Sequence, residues 1–331
     1  MSAVAVCSNL YAANGQPVRT DLSHDDVLKV IESGEGVLWY RLTEDDPESR
    51  NVLSEVFRFH PLAIDDCFNG RVDTPKIDDY GAYLFIVAQS VQFAQADHVL
   101  SLNELDIFLG KNYVVTVQAK QEMPLVDKLF EEAQANPNLM TRGADFLAHT
   151  IIDVMVDQLL PAVEEMDEAL DRLEQQILDR PDRRHLTSVL RLKRDTLLLR
   201  RSILPQRDMV NRLSRGEYPD LIRQEALIFY RDIYDHIVRV ESLLEGLRDL
   251  ADGSLSSYLS AVNNRMNEVM KLMSVVAVIF LPLNLLAGLY GTNLDYSPFG
   301  LTFDAGFFVL IAVMLILGGA MVMYFRRHGW F

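Results

Sequence analysis

The chain has 331 residues, 49% hydrophobic and 24% charged, which is the composition of a folded protein of about two domains. Its 31 Lys and Arg against 47 Asp and Glu give a net charge of −16; that balance repels phosphate, excludes a nucleic-acid binder and suits a neighbour of cations. Cys7 and Cys67 are the two cysteines, too few and too far apart for a disulfide scaffold or a structural zinc site.

Residues 1–15 lack the basic and apolar regions of a signal peptide. Strand patterns follow at Gly36–Leu42 and Tyr83–Phe93, rich in aromatic and β-branched residues. Leu105–Leu109 and Tyr113–Gln118 flank Gly110-Lys111-Asn112, a hairpin signal. Asp46–Phe59 and Met123–Ala135 read as helices, and Asn136-Pro137-Asn138 is a breaker. Residues 1–143 are therefore expected to form a cytoplasmic α/β domain with a mixed sheet.

Strand signals then stop. Asp145–Leu178 reads as one helix whose segment 164–179 is acidic, and residues 180–215 are basic, so charge pairing between two adjacent helices is expected. Solvated faces would explain the pattern equally well. No proline occurs between Pro219 and Pro282, which predicts one helix over about 220–290. Ala226, Tyr230, Ile233, Ile237, Val240, Leu244, Leu247 and Ala251 form a heptad seam along it. A seam on so long a helix calls for neighbouring copies. Residues 144–270 thus read as a cytoplasmic helical stalk.

Residues 272–290 and 305–325 carry no charge, and each is long enough to cross a bilayer as a helix. They form a two-helix transmembrane domain, 271–331, joined by a loop at 291–304. Arg265 and Lys271 precede the first span, Arg326, Arg327 and His328 follow the second, and the loop holds Asp295 and Asp304 without a basic residue. The positive-inside rule places both ends in the cytoplasm and the loop outside. Residues 271–331 carry +1, which leaves −17 on residues 1–270.

One face of the first span collects small and polar residues, Asn263, Asn267, Met270, Ser274, Ala277, Leu281, Asn284 and Gly288, while Val275, Ile279, Leu283 and Leu286 are expected to face lipid. Polar groups in hydrocarbon need a partner or water. In a symmetric assembly this stripe would line a pore; the same residues would also serve as hydrogen-bonding glue between helices. Neutral carbonyl oxygens suit a hydrated Mg²⁺, which gives up its waters reluctantly.

At the end of this span stands Ala287-Gly288-Leu289-Tyr290-Gly291-Thr292-Asn293. With Asn267-Glu268-Val269-Met270-Lys271, Ile279-Phe280-Leu281-Pro282-Leu283, the stalk run Phe229–His236 and the tail Tyr324–Trp330, it resembles the CorA family of divalent-cation channels. Thr74-Pro75-Lys76-Ile77 and Lys111-Asn112 fall in the same order as in that family. The resemblance implies a funnel-shaped homopentamer in the inner membrane, with the lipid bilayer, its own copies and divalent cations as partners.

In that reading Gly291 and Asn293 belong to the outer filter, Asn284 and Asn267 to polar rings, and Leu281 and Met270 to hydrophobic constrictions. Ser274 and Gly288 complete the lining. Asp232 matches a carboxylate of a regulatory site for cytoplasmic Mg²⁺, and Asp97 is the one carboxylate near its partner's place. Thr292 departs from the family's Gly-Met-Asn triplet and from the Gly-Val-Asn of the zinc-transporting ZntB group. The ion therefore stays open between a Mg²⁺-type channel, with Co²⁺ and Ni²⁺ as further cargo, and a proton-coupled Zn²⁺ transporter. A non-conducting membrane-anchored sensor or scaffold is the third reading. No HExxH, GxGxxG, P-loop or nucleophile elbow occurs, and an enzyme is not expected.

Overall fold

The computed structural model describes residues 7–94, 99–118, 122–291 and 303–330. They group into two compact units. One runs to Gln176 and takes in Asp182–Leu255; the other comprises Ile177–Pro181 and the residues from Ser256 on.

The first unit is built on a seven-stranded sheet. Its spatial order is β2 (Arg19–Thr20), β1 (Cys7–Ala12), β3 (Val37–Leu42), β7 (Tyr113–Val117), β6 (Val99–Gly110), β5 (Tyr83–Ala94) and β4 (Lys76–Asp79). Neighbours run antiparallel except β3 and β7, which are parallel with Trp39 opposite Val114. The sheet is thus mixed, as expected. The hairpin signal at Gly110 holds: a Cβ there would overlap the Tyr113 ring, so only glycine lets the chain turn back so closely.

Alternation along the strands sends apolar side chains to both faces. On one face Tyr40, Phe85, Val87, Phe108 and Val115 pack with α1 (His24–Ser33), a π-turn at Val52–Val56 that continues α2 (Pro47–Asn51), and α3 (Pro61–Cys67). Phe59 stacks on Phe108 at 4.0 Å between ring centroids. Each such fully buried side chain contributes roughly 1.5–3 kcal/mol. On the other face lie α4 (Pro124–Ala135), α5 (Asn138–Thr141) and α6 (Ala144–Val156). Proline opens α4, and Val126, Leu129, Phe130 and Ala133 repeat at helical spacing and are buried. Phe130 meets the edge of Trp39, whose indole donates to Thr116 Oγ1 at 3.0 Å. Because α6 packs on β5, β6 and β7, the layer beneath the sheet runs past residue 143.

The helix expected over 145–178 is two helices. A turn at Asp157–Gln158 separates α6 from α7 (Leu159–Asp179). Pro161, in the first turn of α7, lacks the N–H that would bond to the Asp157 carbonyl and so marks this break, although the apolar periodicity reads through it. Next comes α8 (Arg183–Ser214), capped by Asp182, whose Oδ1 accepts the Arg184 N–H at 2.8 Å. A polar network ties α8 to β5. The Gln89 N–H donates to Gln206 Oε1 at 2.8 Å and Gln206 Nε2 to Gln89 O at 3.0 Å. Ser202 Oγ donates to Gln89 Oε1, and Gln89 Nε2 to Asp73 O at 2.6 Å. Every polar atom of the Gln89 side chain thereby has a partner in a buried place.

The long helix, α9 (Leu227–Gly291), has 65 residues. The whole seam from Ala226 to Ala251 is buried within the single chain, which corrects the inference that it needs other copies. Tyr230 donates to Asp145 O on α6 at 2.9 Å, and Lys193 and Arg207 of α8 pair with Asp252 and Glu241 of α9. Arg207–Glu241 closes at 2.9 Å. These cations of α8 thus reach α9. From Leu259 onward most α9 side chains are exposed in the isolated chain.

Residues Leu227–Gly291 and Gly306–Arg327 are the two long, apolar helical stretches whose apolar windows lie uncovered, 6% buried each. The stretch Ala144–Asp179 is also apolar and long enough, but 56% of its window is buried inside the protein, which accounts for its apolarity by packing around the sheet.

Candidate functional site

Two places on the chain carry the residues singled out above. The first is the apolar part of α9 with α10 (Phe303–Arg327). Three contacts make the two helices antiparallel. Lys271 Nζ donates to Gly329 O at 3.0 Å. A Cβ on Gly318 would lie 3.7 Å from Leu283 Cδ1, and one on Gly306 would lie 2.9 Å from the Tyr290 hydroxyl. Small residues here let the helices approach closely.

This pairing settles which face of α9 is covered. Val275 is buried, and Ile279, Leu283 and Leu286 are partly buried. Their facing lipid was the expectation; they pack instead on the side of α9 that α10 covers. At about 100° per residue the stripe lies roughly opposite that side. Accordingly Asn267, Met270, Ser274, Leu281, Asn284, Gly288 and Gly291 are all exposed in the isolated chain. Ser274 Oγ donates to Met270 O at 2.9 Å, so its hydrogen is satisfied inside the helix while its lone pairs remain available. Thr292 and Asn293 lie outside the described residues.

The second place is where α6 meets α9. Asp153 and Asp157 are four residues apart, as are Asp232 and His236, so each pair shares a helix face or its end. Ligand atoms of Asp153, Asp157 and His236 all lie within 4.8 Å of one another. His236 Nδ1 is 3.8 Å from Asp157 Oδ1, and His236 Nε2 is 4.0 Å from Asp232 Oδ2. Burial, and then the neighbouring Asp157 charge, push the Asp153 carboxyl up to about 6. A second carboxylate beside a half-buried one raises the cost of ionisation, and a bound cation would remove that cost. Nearby, burial pushes the His149 imidazole down; its ring meets Phe229 and Tyr230 edge-on at 5.6 and 5.4 Å.

Asp232 joins this group through His236, and its charge also acts on the Asp153 carboxyl. Asp97 lies outside the described residues. Asp153, Asp157 and His236 were not chosen as ligands from the sequence. Their paired spacing of four was visible there, but a spacing of four is common on helices and became a cluster only once α6 and α9 were packed.

A pocket of about 160 Å³ lies between α8 and α9 and is lined by Arg200, Arg248, Glu245 and Asp249 among others. It contains none of the residues above.

Residues 34–327 match the protein family described as CorA-like Mg²⁺ transporter protein. A cobalt/magnesium transport protein CorA of Thermotoga maritima is 34% identical over 279 residues, 84% of this chain and 78% of that protein. A zinc transport protein ZntB of Pectobacterium atrosepticum is 25% identical, over 97% of this chain and 94% of that one. The complete structure of the CorA magnesium transporter of Methanocaldococcus jannaschii superposes with a TM-score of 0.80 at 20% identity, covering 99% of both chains.

Proposed function

The chain belongs to the CorA-like Mg²⁺ transporter family, whose members are transporters and not enzymes, and from that premise we propose that it passes divalent cations, Mg²⁺ and Co²⁺, across the inner membrane. The observation that carries the reading is the exposed stripe on α9, lying opposite the side that packs on α10. An isolated polar stripe in hydrocarbon is unfavourable, whereas five copies around an axis would give it water and partners. Asn267, Ser274 and Asn284 would then hydrogen-bond a cation's hydration shell without holding it by charge. Met270 and Leu281 would form the dry constrictions, and Gly291, Thr292 and Asn293 the outer filter. Both chain ends lie in the cytoplasm in this reading, where the acidic residues 1–270 attract cations to a funnel.

Cytoplasmic metal would bind at Asp232 with Asp157, Asp153 and His236, and would hold the assembly closed when the cation is plentiful. The test of the pathway is flux through purified protein in liposomes. Mg²⁺ and Co²⁺ are expected to enter, and Asn293→Ala to reduce entry at least tenfold; unchanged flux would remove Asn293 from the filter. A Zn²⁺ transporter is the second reading, favoured by the zinc-transporting relative. Zinc entry that responds to a pH gradient, in vesicles that exclude Mg²⁺, would replace the first reading with the second.

A further inference from the structure

The ends of the two apolar helices nearest Lys271 and Arg327 form a corner that the transport reading does not use. α10 stops in a left-handed turn: Gly329 has φ +68°, its N–H donates to Arg326 O at 3.3 Å, and the Trp330 N–H donates to Phe325 O at 3.0 Å. This closure folds the chain back. It lays the Trp330 ring against Phe325, 5.6 Å between centroids, and 5.2 Å from Lys271 Nζ. The same ammonium donates to Gly329 O, which uses one of its three hydrogens. A cation from α9 and an indole from beyond α10 are thereby held together by named contacts.

Among the described residues the charged side chains that meet at the corner, Lys271, Arg326 and Arg327, are cations. Arg326 and Arg327 are exposed, and among the described residues no carboxylate pairs with either. The nearest acid on α9, Glu268, is already bound to Arg265 at 3.1 Å. Trp330 stays 43% exposed, and on α10 Val322 and Met323, each one turn before Arg326 and Arg327, stay 45% and 68% exposed. Cations at a helix C-terminus are favoured by the helix dipole alone. That accounts for Arg326 and Arg327, but it does not bring Lys271 and Trp330 to the same spot.

We propose that this corner binds the headgroup of an anionic phospholipid. Its phosphate would accept hydrogen bonds from Lys271, Arg326 and Arg327, Trp330 would sit at the ester level, and an acyl chain would lie along Met323 and Val322. The arrangement matches a bilayer boundary: uncharged helix on one side, cations and an amphipathic indole on the other. The proposal rests on the two helices spanning a bilayer and not on their carrying metal. Its readout involves no cation flux, so its failure and the failure of the transport reading are distinguishable.

The experiment places the full chain in vesicles of phosphatidylcholine, with or without about a third phosphatidylglycerol. It measures the lipid retained on purification and the thermal midpoint. Wild type is expected to retain phosphatidylglycerol several-fold above its bulk share and to melt higher in its presence. The Arg326→Gln, Arg327→Gln double variant should lose most of both effects while keeping its helical circular dichroism. Should that variant fail to insert, wild type in high salt reads the same interaction, because the enrichment should fall as charges are screened. No enrichment in wild type, or equal enrichment in the inserted double variant, overturns the proposal. So does enrichment in wild type that salt leaves unchanged. Equal stabilisation by inorganic phosphate over phosphatidylcholine alone would also overturn it, by assigning the corner to a free anion.

Discussion

Asp195 is a carboxyl buried on α8, with Arg194 Nε 3.9 Å away as its charged contact. Burial raises its pKa, so the folded protein holds this proton more tightly than the unfolded chain does. Its contribution to stability is fully present below the unfolded value of about 3.9 and is lost as pH rises through the raised folded value. Asp195→Asn is therefore expected to raise the melting midpoint at pH 8 and to leave it nearly unchanged near pH 4, as read by thermal unfolding. His236 supports a second expectation. Its imidazole gives the α6–α9 cluster a nitrogen donor, which Co²⁺ and Ni²⁺ accept far more readily than Mg²⁺. His236→Ala should weaken Ni²⁺ binding by roughly tenfold while altering Mg²⁺ binding little; calorimetry with both ions decides it, and equal losses would remove the imidazole from the coordination. Single residues were legible in the sequence where chemistry is local, as at Gly110 in its hairpin. Asp153 and Asp157 were not, because their meaning comes from a helix more than 70 residues away.

At the level of elements, α9 presents two faces with opposite fates. A series of single cysteines tests which is which, with Cd²⁺ added during Mg²⁺ flux. Cysteines at Ser274, Leu281 and Asn284 should give a channel that Cd²⁺ blocks, since a ring of thiolates in a narrow pore would hold it. Cysteines at Val275 and Leu283 should leave flux insensitive, and block from that face would exchange the two assignments. The faces were half legible in the sequence. Four-and-three spacing isolates the stripe, but it cannot tell a lipid-facing side from one packed on α10, since both are apolar. Strands followed the same logic. β3, β5, β6 and β7 stand out by aromatic and β-branched residues, whereas β4 reads KIDD and β1 reads CSNLYA, compositions with no strand signal of their own. β4 lies at the sheet edge and its charges suit that place, with Lys76 Nζ bound to Asp66 at 2.6 Å and Asp78 at 3.0 Å.

For the whole molecule, burial divides the chain into a self-sufficient part and a part that needs company. The stalk seam is satisfied by α6 and α8, so it gives no reason for association. The exposed stripe of the second unit does, and native mass spectrometry of the detergent-purified protein should report five chains. A monomer would leave the stripe without an axis and end the pore reading. A heptad repeat signals a neighbouring helix and does not say whose it is, which is why the stalk seam reads from the sequence as a contact between copies.

The parallel join between β3 and β7 bears on how the chain reaches this state. Leu38 faces Tyr113 across 75 positions of sequence, while β4 to β7 follow one another in sequence as antiparallel neighbours. Loop-closure entropy favours this antiparallel run first and leaves β3, with β1 and β2 attached, to dock last. Until it docks, β7 offers an open edge of buried valines, and the interval between those two events is when a nascent chain is most exposed to aggregation.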